Sequence, residues 1–297
     1  MICNYITPAV TAFDKNRKLD TEALENLYEH LIQGGVDGIL ILGSIGEFFA
    51  ISMETKKELI RLAVKNINGR TKLLVGTASM DVNETIELSK YAHEQGSDGV
   101  VLISPYYFSL NEESIEDYYD LVAGRCSCDL YLYNFPDRTG YDLSPEVTLR
   151  LLRKHKNIVG YKDTIPGMDH TRELIKLIKP EFPEFKIYSG FDDNFARNVI
   201  SGGDGCIGGL SNLVPELCSE WVRSFSDNDL SLVSDIQMKI DCLMDIYQVG
   251  KPFVPYIKKA MMLKGIPIKD YCSFPLPQAK ENETSVLKEI LKRSNLI

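Results

Sequence analysis

The sequence predicts an α/β fold in which short strands alternate with helices. Three observations support this prediction: eight nearly continuous apolar runs, helix-capping signals between them, and a recurring turn that contains Gly and Asp. Nearly continuous apolar runs are typical of parallel strands that helices cover on both faces. Eight such strands close a (β/α)8 barrel, so we predict a TIM barrel. The predicted strands are residues 5–13, 38–42, 72–77, 99–104, 130–134, 158–162, 186–189 and 205–208.

Capping residues mark the beginnings of helices between these runs. Asp20 precedes an apolar helical face that begins at Leu24, and Asn111 precedes an acidic first turn. Ser144 combines a capping hydroxyl with Pro145 at the first helical position. One sequence pattern recurs at three predicted helix ends, in residues 34–38, 95–99 and 202–205. In each, a glycine ends the helix and Asp-Gly leads into the next strand.

The chain continues well beyond the eighth predicted strand, and no linker rich in Gly, Ser or Pro separates this part. Apolar residues recur there at helical spacing, and they are Leu232, Ile236, Ile240, Leu243 and Tyr247, then Val286, Leu287, Ile290 and Leu291. We therefore predict that residues 1–212 form the barrel with the active site. Residues 213–297 would add the last barrel helix and a C-terminal helical extension to the same structural unit.

Composition narrows the functional class. The 297 residues are 44% hydrophobic and 25% charged, as in ordinary globular proteins. No apolar run approaches the ~20 residues of a membrane helix, and the N-terminus lacks a signal peptide, so we expect a cytoplasmic protein without a membrane partner. The net charge of −9 argues against nucleic acid as a partner but permits a small anionic substrate. The seven scattered cysteines predict reduced thiols.

Lys162 ends the sixth apolar run, where its stem would be buried and its amine would face the mouth of a cavity. Desolvation favours the neutral form of an amine, and a neutral amine is a nucleophile for carbonyl carbons. A lysine at a strand end is more commonly an ordinary surface charge. Ser44, Tyr133 and Arg138, however, also follow predicted strands, and active sites of these barrels form at the carboxyl ends of the strands. Their joint placement favours catalysis.

Two patterns that suggest cofactors do not meet the structural requirements. Residues 203–208 match a dinucleotide-binding glycine pattern, but a strand runs through the segment where a helix should begin. The four histidines are dispersed without ligand spacing, so a metal-dependent aldol reaction lacks ligands; they are His30, His93, His155 and His170. We therefore expect neither a metal nor a nucleotide cofactor.

Four motifs, in this order, resemble the dihydrodipicolinate synthase/N-acetylneuraminate lyase family: GSIGEF, SPYY, YNFPDRTG and VGYKDT. The resemblance covers residues 5–212, and the C-terminal part also fits in length. It implies a class I, metal-independent lyase in which Lys162 forms a Schiff base with pyruvate or a pyruvate-yielding 2-keto acid. Tyr133 would transfer a proton to or from the substrate hydroxyl.

The resemblance also implies a shared site. Ser44 would link Tyr133 to Tyr107, which in the family reaches in from a neighbouring subunit of a homotetramer built as a dimer of dimers. Backbone amides around Ser44 and Ile45 would hold the pyruvate carboxylate. Arg138 matches the family position that binds the carboxylate of a second substrate in the synthase branch.

Two further positions, Gly190 and Ile207, are predicted to bind substrate at the ends of the seventh and eighth strands. Within the family, Ile45 stands where the synthase branch has a second threonine, whereas Arg138 is retained. The segments GSIGEF, YNFP, KDT and SGFDDNF are more similar to 2-keto-3-deoxy sugar acid aldolases, and IGGLSN to sialate lyases.

We therefore predict reversible cleavage of a 2-keto-3-deoxy sugar acid to pyruvate and an aldehyde. The alternatives are 4-hydroxy-tetrahydrodipicolinate (dihydrodipicolinate) synthase, which condenses pyruvate with aspartate semialdehyde, and an N-acetylneuraminate lyase-like or dehydratase activity. A non-catalytic 2-keto acid sensor is a hypothesis from a different class. The presence of both Lys162 and Tyr133 argues against a sensor.

Overall fold

The computed structural model describes residues 2–297. Within that range, eight parallel strands follow one another in sequence order around a closed barrel. The strands are β1 (Asn4–Pro8), β2 (Gly38–Ile41), β3 (Lys72–Gly76), β4 (Gly99–Ile103), β5 (Leu130–Asn134), β6 (Ile158–Asp163), β7 (Lys186–Ser189) and β8 (Gly205–Ile207). Each predicted strand overlaps an observed one, so the predicted (β/α)8 barrel is confirmed.

Helices connect the strands and continue beyond β8. They are α1 (Thr21–Gln33), α2 (Met53–Ile67), α3 (Val82–Gln95), α4 (Glu112–Arg125), α5 (Pro136–Thr139), α6 (Pro145–Lys154), α7 (Asp169–Ile178), α8 (Phe195–Ile200), α9 (Pro215–Ser226), α10 (Leu230–Met244), α11 (Val254–Lys264) and α12 (Glu281–Arg293). The side chains of Asp20, Asn111 and Ser144 cap α1, α4 and α6 as predicted, each accepting a backbone N–H.

The first strand is shorter than predicted, because it ends at Pro8 and not at residue 13. Beyond Pro8 the backbone leaves the strand ladder for other partners. The Val10 N–H donates to Asn212 Oδ1 at 3.0 Å, and Phe13 forms an isolated antiparallel bridge with Leu19. Residues 9–13 are nevertheless buried, which explains why the apolar run resembled a longer strand.

The recurring turn has the predicted backbone conformation. Gly35, Gly96 and Gly202 have φ angles of 79°, 101° and 94°, in the left-handed region where a side chain is strained. In the third copy of the turn, the aspartate also forms a hydrogen bond with the neighbouring strand: Asp204 Oδ2 accepts the Ile187 N–H at 2.9 Å. The shared motif therefore reflects a shared way of ending a helix and entering a strand.

The chain divides into two compact units. One comprises the residues up to Leu73 together with Gly208–Ile297, and the other is Leu74–Ile207. The first unit contains β1, β2 and the C-terminal helices α9 to α12, of which α10 and α12 match the predicted apolar patterns. The second contains α3 to α8 and β4 to β8. The division that the sequence predicts after residue 212 remains a prediction.

Two further properties concern the described residues as a whole. No helix in residues 2–297 is both long and apolar enough to cross a membrane. The seven cysteines are free thiols, and Cys242 is the exposed one. Burial raises the pKa of Cys272 to about 12, so this thiol stays protonated at neutral pH.

Candidate active site

Lys162 and Tyr133 occupy paired positions on the neighbouring strands β6 and β5. Both residues are buried, with exposed fractions of 5% and 4%. The Nζ atom of Lys162 lies 4.4 Å from the centroid of the Tyr133 ring. An amine so enclosed has lost most of its water, and the face of the aromatic ring replaces part of that hydration. The structure thus brings together the two residues that the sequence predicts to be the main catalytic pair.

Gly160 allows β5 and β6 to approach each other below this pair. A Cβ atom at Gly160 would lie 2.3 Å from Cδ1 of Tyr131, which is closer than real Cβ contacts occur. Tyr131 is buried with the rest of β5, so a side chain at Gly160 would force its ring or the strand to shift. The glycine of the VGYK segment therefore fixes the packing that places Lys162 beside Tyr133.

Aromatic rings extend from Tyr133 toward the surface. The ring of Phe135 stacks on Tyr133 at a centroid distance of 6.1 Å and meets Phe191 edge-on at 6.3 Å. The exposed Arg138, in the short helix α5, places its guanidinium carbon 5.1 Å from the Phe135 centroid. A cation thus lies at the outer end of an aromatic cluster that begins at the buried Tyr133, an arrangement suited to an anionic group on a substrate.

Gly190 and Ile207 lie at the carboxyl ends of β7 and β8, as predicted. A Cβ atom at Gly190 would lie 1.8 Å from Oγ1 of Thr164, so only glycine fits between the segments that follow β6 and β7. The Gly190 N–H donates to the backbone oxygen of Asp163 at 2.7 Å, which ties β7 to the residue after Lys162. Ile207 is fully buried. Their contact with substrate remains a prediction.

Tyr107 lies in the loop after β4 and is 77% exposed. Its ring meets that of Phe108 edge-on at 4.9 Å, and Phe108 is 73% exposed. The residue thus lies at the surface of its own chain, where a second chain can reach it. Its predicted role between subunits remains a prediction.

Ser44 and Ile45 belong to the other unit, in the turn that follows β2. The turn is held by the Glu47 N–H, which donates to the Ser44 oxygen at 3.2 Å, and by Thr11 Oγ1, which donates to the Gly46 oxygen at 2.7 Å. Ser44 is half-buried and Ile45 is buried. Their predicted binding of a carboxylate remains a prediction.

A buried ion pair next to this turn was missed by sequence reasoning. Lys258 Nζ on α11 donates to Glu47 Oε1, and both side chains are fully buried. Glu47 Oε2 accepts the N–H and the hydroxyl of Ser273 at 2.6 and 2.7 Å, and Lys258 also donates to the Tyr271 oxygen at 2.8 Å. No sequence signal links residues 211 positions apart. The pair anchors the GSIGE turn to the C-terminal helices of its unit.

Sequence reasoning also missed the polar residues directly after Lys162 and Tyr133, the predicted catalytic pair. Asn134 and Asp163 form the next register pair of β5 and β6, and Asn134 Nδ2 donates to Asp163 Oδ1 at 3.0 Å. The sequence could have indicated these two residues. Each directly follows a predicted catalytic residue on one of two adjacent strands, so the two lie beside each other on the opposite face of the sheet. Among residues 2–297, no group of three or more His, Cys, Asp or Glu side chains is arranged to hold a metal ion.

A model of the dihydrodipicolinate synthetase family matches residues 1–294. The chain belongs to this family. The resemblance that four sequence motifs predict is therefore confirmed, and it extends through the C-terminal helices. The family assignment also agrees with the closed barrel and with the lysine at the end of its sixth strand.

Individual relatives refine this comparison. The chain is 35% identical over 292 residues to the Escherichia coli K12 protein named "Probable 2-dehydro-3-deoxy-D-pentonate aldolase YjhH", with 98% of this chain and 97% of that relative covered. The crystal structure of Escherichia coli K12 YagE, a prophage protein in complex with pyruvate, matches with a TM-score of 0.97 at 33% identity over 100% of both chains. A 4-hydroxy-tetrahydrodipicolinate synthase from Kosmotoga olearia is 33% identical over 283 residues, with 95% of each covered.

Proposed function

We propose that this protein is a class I aldolase that reversibly cleaves a 2-keto-3-deoxy sugar acid to pyruvate and an aldehyde. The observation that carries the proposal is the buried Lys162 amine, 4.4 Å from the ring centroid of Tyr133 at the ends of adjacent strands. Imine chemistry requires a nucleophilic amine, which a desolvated lysine provides, and a nearby group that transfers protons, such as a phenol. The pyruvate complex of the similar protein YagE supports the choice of keto acid.

In the cleavage direction, the Lys162 amine attacks the C2 carbonyl, and loss of water from the carbinolamine gives a protonated imine. Tyr133 relays the proton of the C4 hydroxyl away while the C3–C4 bond breaks, the bonding electrons move into the imine, and the same relay later returns a proton for C3. The aldehyde leaves, and the resulting enamine takes a proton at C3. Hydrolysis of the imine then releases pyruvate and restores the amine. The imine itself is the electron sink, so the proposed mechanism uses no metal or nucleotide cofactor.

The remaining site residues take the roles that the family resemblance suggests. Backbone amides of Ser44 and Ile45 bind the pyruvate carboxylate, and the Ser44 hydroxyl connects Tyr133 to Tyr107 of the partner subunit. Gly190 and Ile207 line the substrate site. The exposure of Tyr107 on its own chain, 77%, supports an exchange of this residue between subunits. The proposed assembly is a homotetramer built as a dimer of dimers.

Ile45 and the relatives support the sugar acid branch. Isoleucine at this position has no hydroxyl group. The synthase branch has a second threonine there, and its hydroxyl can donate a hydrogen bond to the substrate. The similar protein YjhH has a name that specifies a 2-dehydro-3-deoxy-pentonate substrate. These observations favour a polyhydroxylated substrate over aspartate semialdehyde.

Arg138 favours a second candidate, the condensation of pyruvate with aspartate semialdehyde by a 4-hydroxy-tetrahydrodipicolinate synthase. Its guanidinium group stacks on Phe135 at the outer end of the aromatic cluster, where a second carboxylate can bind. The 33% identity to the Kosmotoga olearia synthase agrees with this alternative. In this case Arg138→Ala damages condensation far more than imine formation with pyruvate.

The test is a side-by-side assay of 2-keto-3-deoxygluconate and 2-keto-3-deoxypentonate cleavage against condensation of pyruvate with aspartate semialdehyde. We expect dominant cleavage, and we expect it to disappear in Lys162→Met. Lys56→Met is the matched control, because Lys56 is also buried and also lies over an aromatic ring, 5.8 Å from the Phe48 centroid. Dominant condensation contradicts the sugar acid assignment, and full activity of Lys162→Met contradicts Schiff-base catalysis.

A further inference from the structure

We propose that a buried polar network around Asp163 holds Lys162 and Tyr133 in the arrangement that their chemistry requires. The inference rests on the proposed function, because it assigns a positioning task to residues behind the proposed nucleophile. The network consists of Asp163 and its three side-chain hydrogen-bonding partners, Asn134, His170 and Thr171.

The register of β5 and β6 places the network next to the proposed catalytic pair. Tyr133 pairs with Lys162, and the next pair of the same ladder is Asn134 with Asp163. Because successive strand residues point to opposite faces, the polar pair lies directly behind the catalytic pair. The hydrogen bond of 3.0 Å between Asn134 Nδ2 and Asp163 Oδ1 thus joins the two strands at the position next to the chemistry.

Helix α7 holds the Asp163 carboxylate with two side-chain hydrogen bonds. The residue is 1% exposed, and its Oδ2 atom accepts the Thr171 hydroxyl at 2.7 Å and His170 Nδ1 at 3.0 Å. Both donors come from the beginning of α7, so a helix and two strands meet at one carboxylate group. Hydrogen bonds with a charged partner are roughly twice as strong as neutral ones, so these contacts restrain the end of β6.

Asn134 uses both atoms of its side-chain amide in hydrogen bonds. Its Nδ2 atom also donates to Asp142 Oδ1 at 3.1 Å, and its Oδ1 atom accepts the Leu143 N–H at 3.0 Å. Its backbone oxygen accepts the Thr164 N–H at 2.9 Å. The residue after Tyr133 is therefore held by the segment before α6 and by the segment after β6.

Stability alone is a weak reason to place such a network here, because well-packed apolar residues often stabilise a buried site as well as charged ones do. Precise positioning is a stronger reason, because a displacement of about 1 Å can reduce a rate roughly 100-fold. The network lies one residue from both proposed catalytic side chains. Asp163, Asn134, His170 and Thr171 therefore act as positioning residues for the proposed imine chemistry.

Thr171 offers a nearly isosteric test. Thr171→Val removes the hydroxyl that donates to Asp163, and Thr171→Ser keeps that donor while losing a methyl group. We measure kcat and KM for 2-keto-3-deoxy sugar acid cleavage and the rate at which borohydride traps pyruvate on Lys162. For Thr171→Val we expect kcat and the trapping rate to fall about tenfold or more, with KM changed less than about threefold. Thr171→Ser should retain most of both rates.

Thr148→Val is the matched control for lost stability. Thr148 is also buried in a barrel helix, but its hydroxyl donates to the Ser144 backbone oxygen at 2.9 Å and not to Asp163. This variant should have a lowered Tm with kcat near that of the wild type. If Thr171→Val behaves like Thr148→Val, or if Thr171→Ser loses as much activity as Thr171→Val, the positioning role is wrong.

Two outcomes separate this inference from the proposed function. A wild-type protein that forms no adduct on Lys162 overturns both. An adduct that forms at the wild-type rate in Thr171→Val overturns the positioning role alone. Should Thr171→Val fail to fold, His170→Asn, which keeps a donor near Nδ1, and His170→Leu, which does not, make the same comparison. Equal trapping rates in these two variants overturn the positioning role as well.

Discussion

The Nζ atom of Lys162 lies 4.4 Å from the ring centroid of Tyr133, at paired positions of two buried parallel strands. The two strands are hydrogen-bonded to each other along their lengths, so the backbone fixes the relative positions from which the amine and the phenol extend. Groups that are already oriented lose little entropy when they act together on a bound molecule. The barrel therefore supplies the orientation that imine formation and proton transfer need.

Tyr133→Phe tests the proton-transfer role while keeping the ring beside Lys162. We expect kcat for cleavage to fall about 100- to 10,000-fold, because a positioned acid or base contributes that much. The adduct with pyruvate on Lys162 should still form. Tyr131→Phe is the control, since Tyr131 is buried two residues earlier on the same strand and should leave kcat nearly unchanged. Wild-type kcat in Tyr133→Phe would exclude the phenol from the reaction.

Gly190→Ala tests the close approach of the segments after β6 and β7. The new Cβ would lie 1.8 Å from Thr164 Oγ1 and 2.8 Å from the Thr164 Cα, so the backbone must move. We expect kcat/KM for cleavage to fall by about tenfold or more, since displacement near a reacting group is costly. Gly167→Ala is the control, because its nearest neighbour would be a side-chain oxygen of Asp169 at 4.0 Å. Equal activities of the two variants would contradict this expectation.

The sequence predicted local features well, because they depend on residues close together in the chain. Lys162 and Tyr133 end apolar runs, and a closed parallel barrel brings such strand ends to one face. The first strand was predicted too long because the burial of residues 9–13 by non-strand contacts looks the same in a sequence as burial in a sheet.

The buried ion pair between Glu47 and Lys258 could not be predicted in this way. Its partners are 211 residues apart, and Lys258 lies in a helix whose residues give no clear amphipathic pattern, with Lys258 itself among the buried positions. A buried lysine is uncommon unless it is paired, so a sequence alone suggests a surface position. The structure identifies Glu47 as the carboxylate that pairs with the buried ammonium group of Lys258.

Lys258→Met tests the contribution of that pair to stability. The substitution leaves the Glu47 carboxylate buried without its cation, so we expect the free energy of unfolding to fall by about 3–5 kcal/mol. Denaturant unfolding measures this change. The double variant Glu47→Gln/Lys258→Met should lose less than the sum of the two single variants. Arg153→Met breaks the exposed pair with Glu181 and should leave the free energy of unfolding nearly unchanged, because solvent screens such a pair. If the double variant loses as much free energy of unfolding as the two single variants together, Glu47 and Lys258 do not stabilise each other.

The pH dependence of stability tests the environment of His170. Burial has the largest influence on the pKa of His170 and lowers it, because it disfavours the imidazolium. The hydrogen bond and the charge of Asp163 act in the opposite direction, and so do the charge of Asp142 and the Leu143 oxygen. Together they outweigh burial and raise the pKa above 6.5. The folded protein thus binds this proton more tightly than the unfolded chain does. The contribution of His170 is fully present below the unfolded-state pKa and is lost as pH rises through the folded-state pKa.

Urea unfolding of the wild type and of His170→Gln over a range of pH measures this contribution. We expect the difference in the free energy of unfolding between the two proteins to be largest at acidic pH. It should shrink as pH rises through the raised pKa of His170. A difference that grows with pH would show that the imidazole, and not the imidazolium, is the form that the folded state stabilises.

Covalent trapping decides whether Lys162 forms an imine with pyruvate. The protein is incubated with pyruvate, reduced with borohydride, digested and analysed by mass spectrometry, with Lys162→Met and Lys56→Met in parallel. We expect one reduced pyruvate adduct on Lys162 in the wild type and in Lys56→Met, and none in Lys162→Met. An unmodified Lys162 in the wild type, or an adduct on another lysine that accounts for turnover, would contradict it.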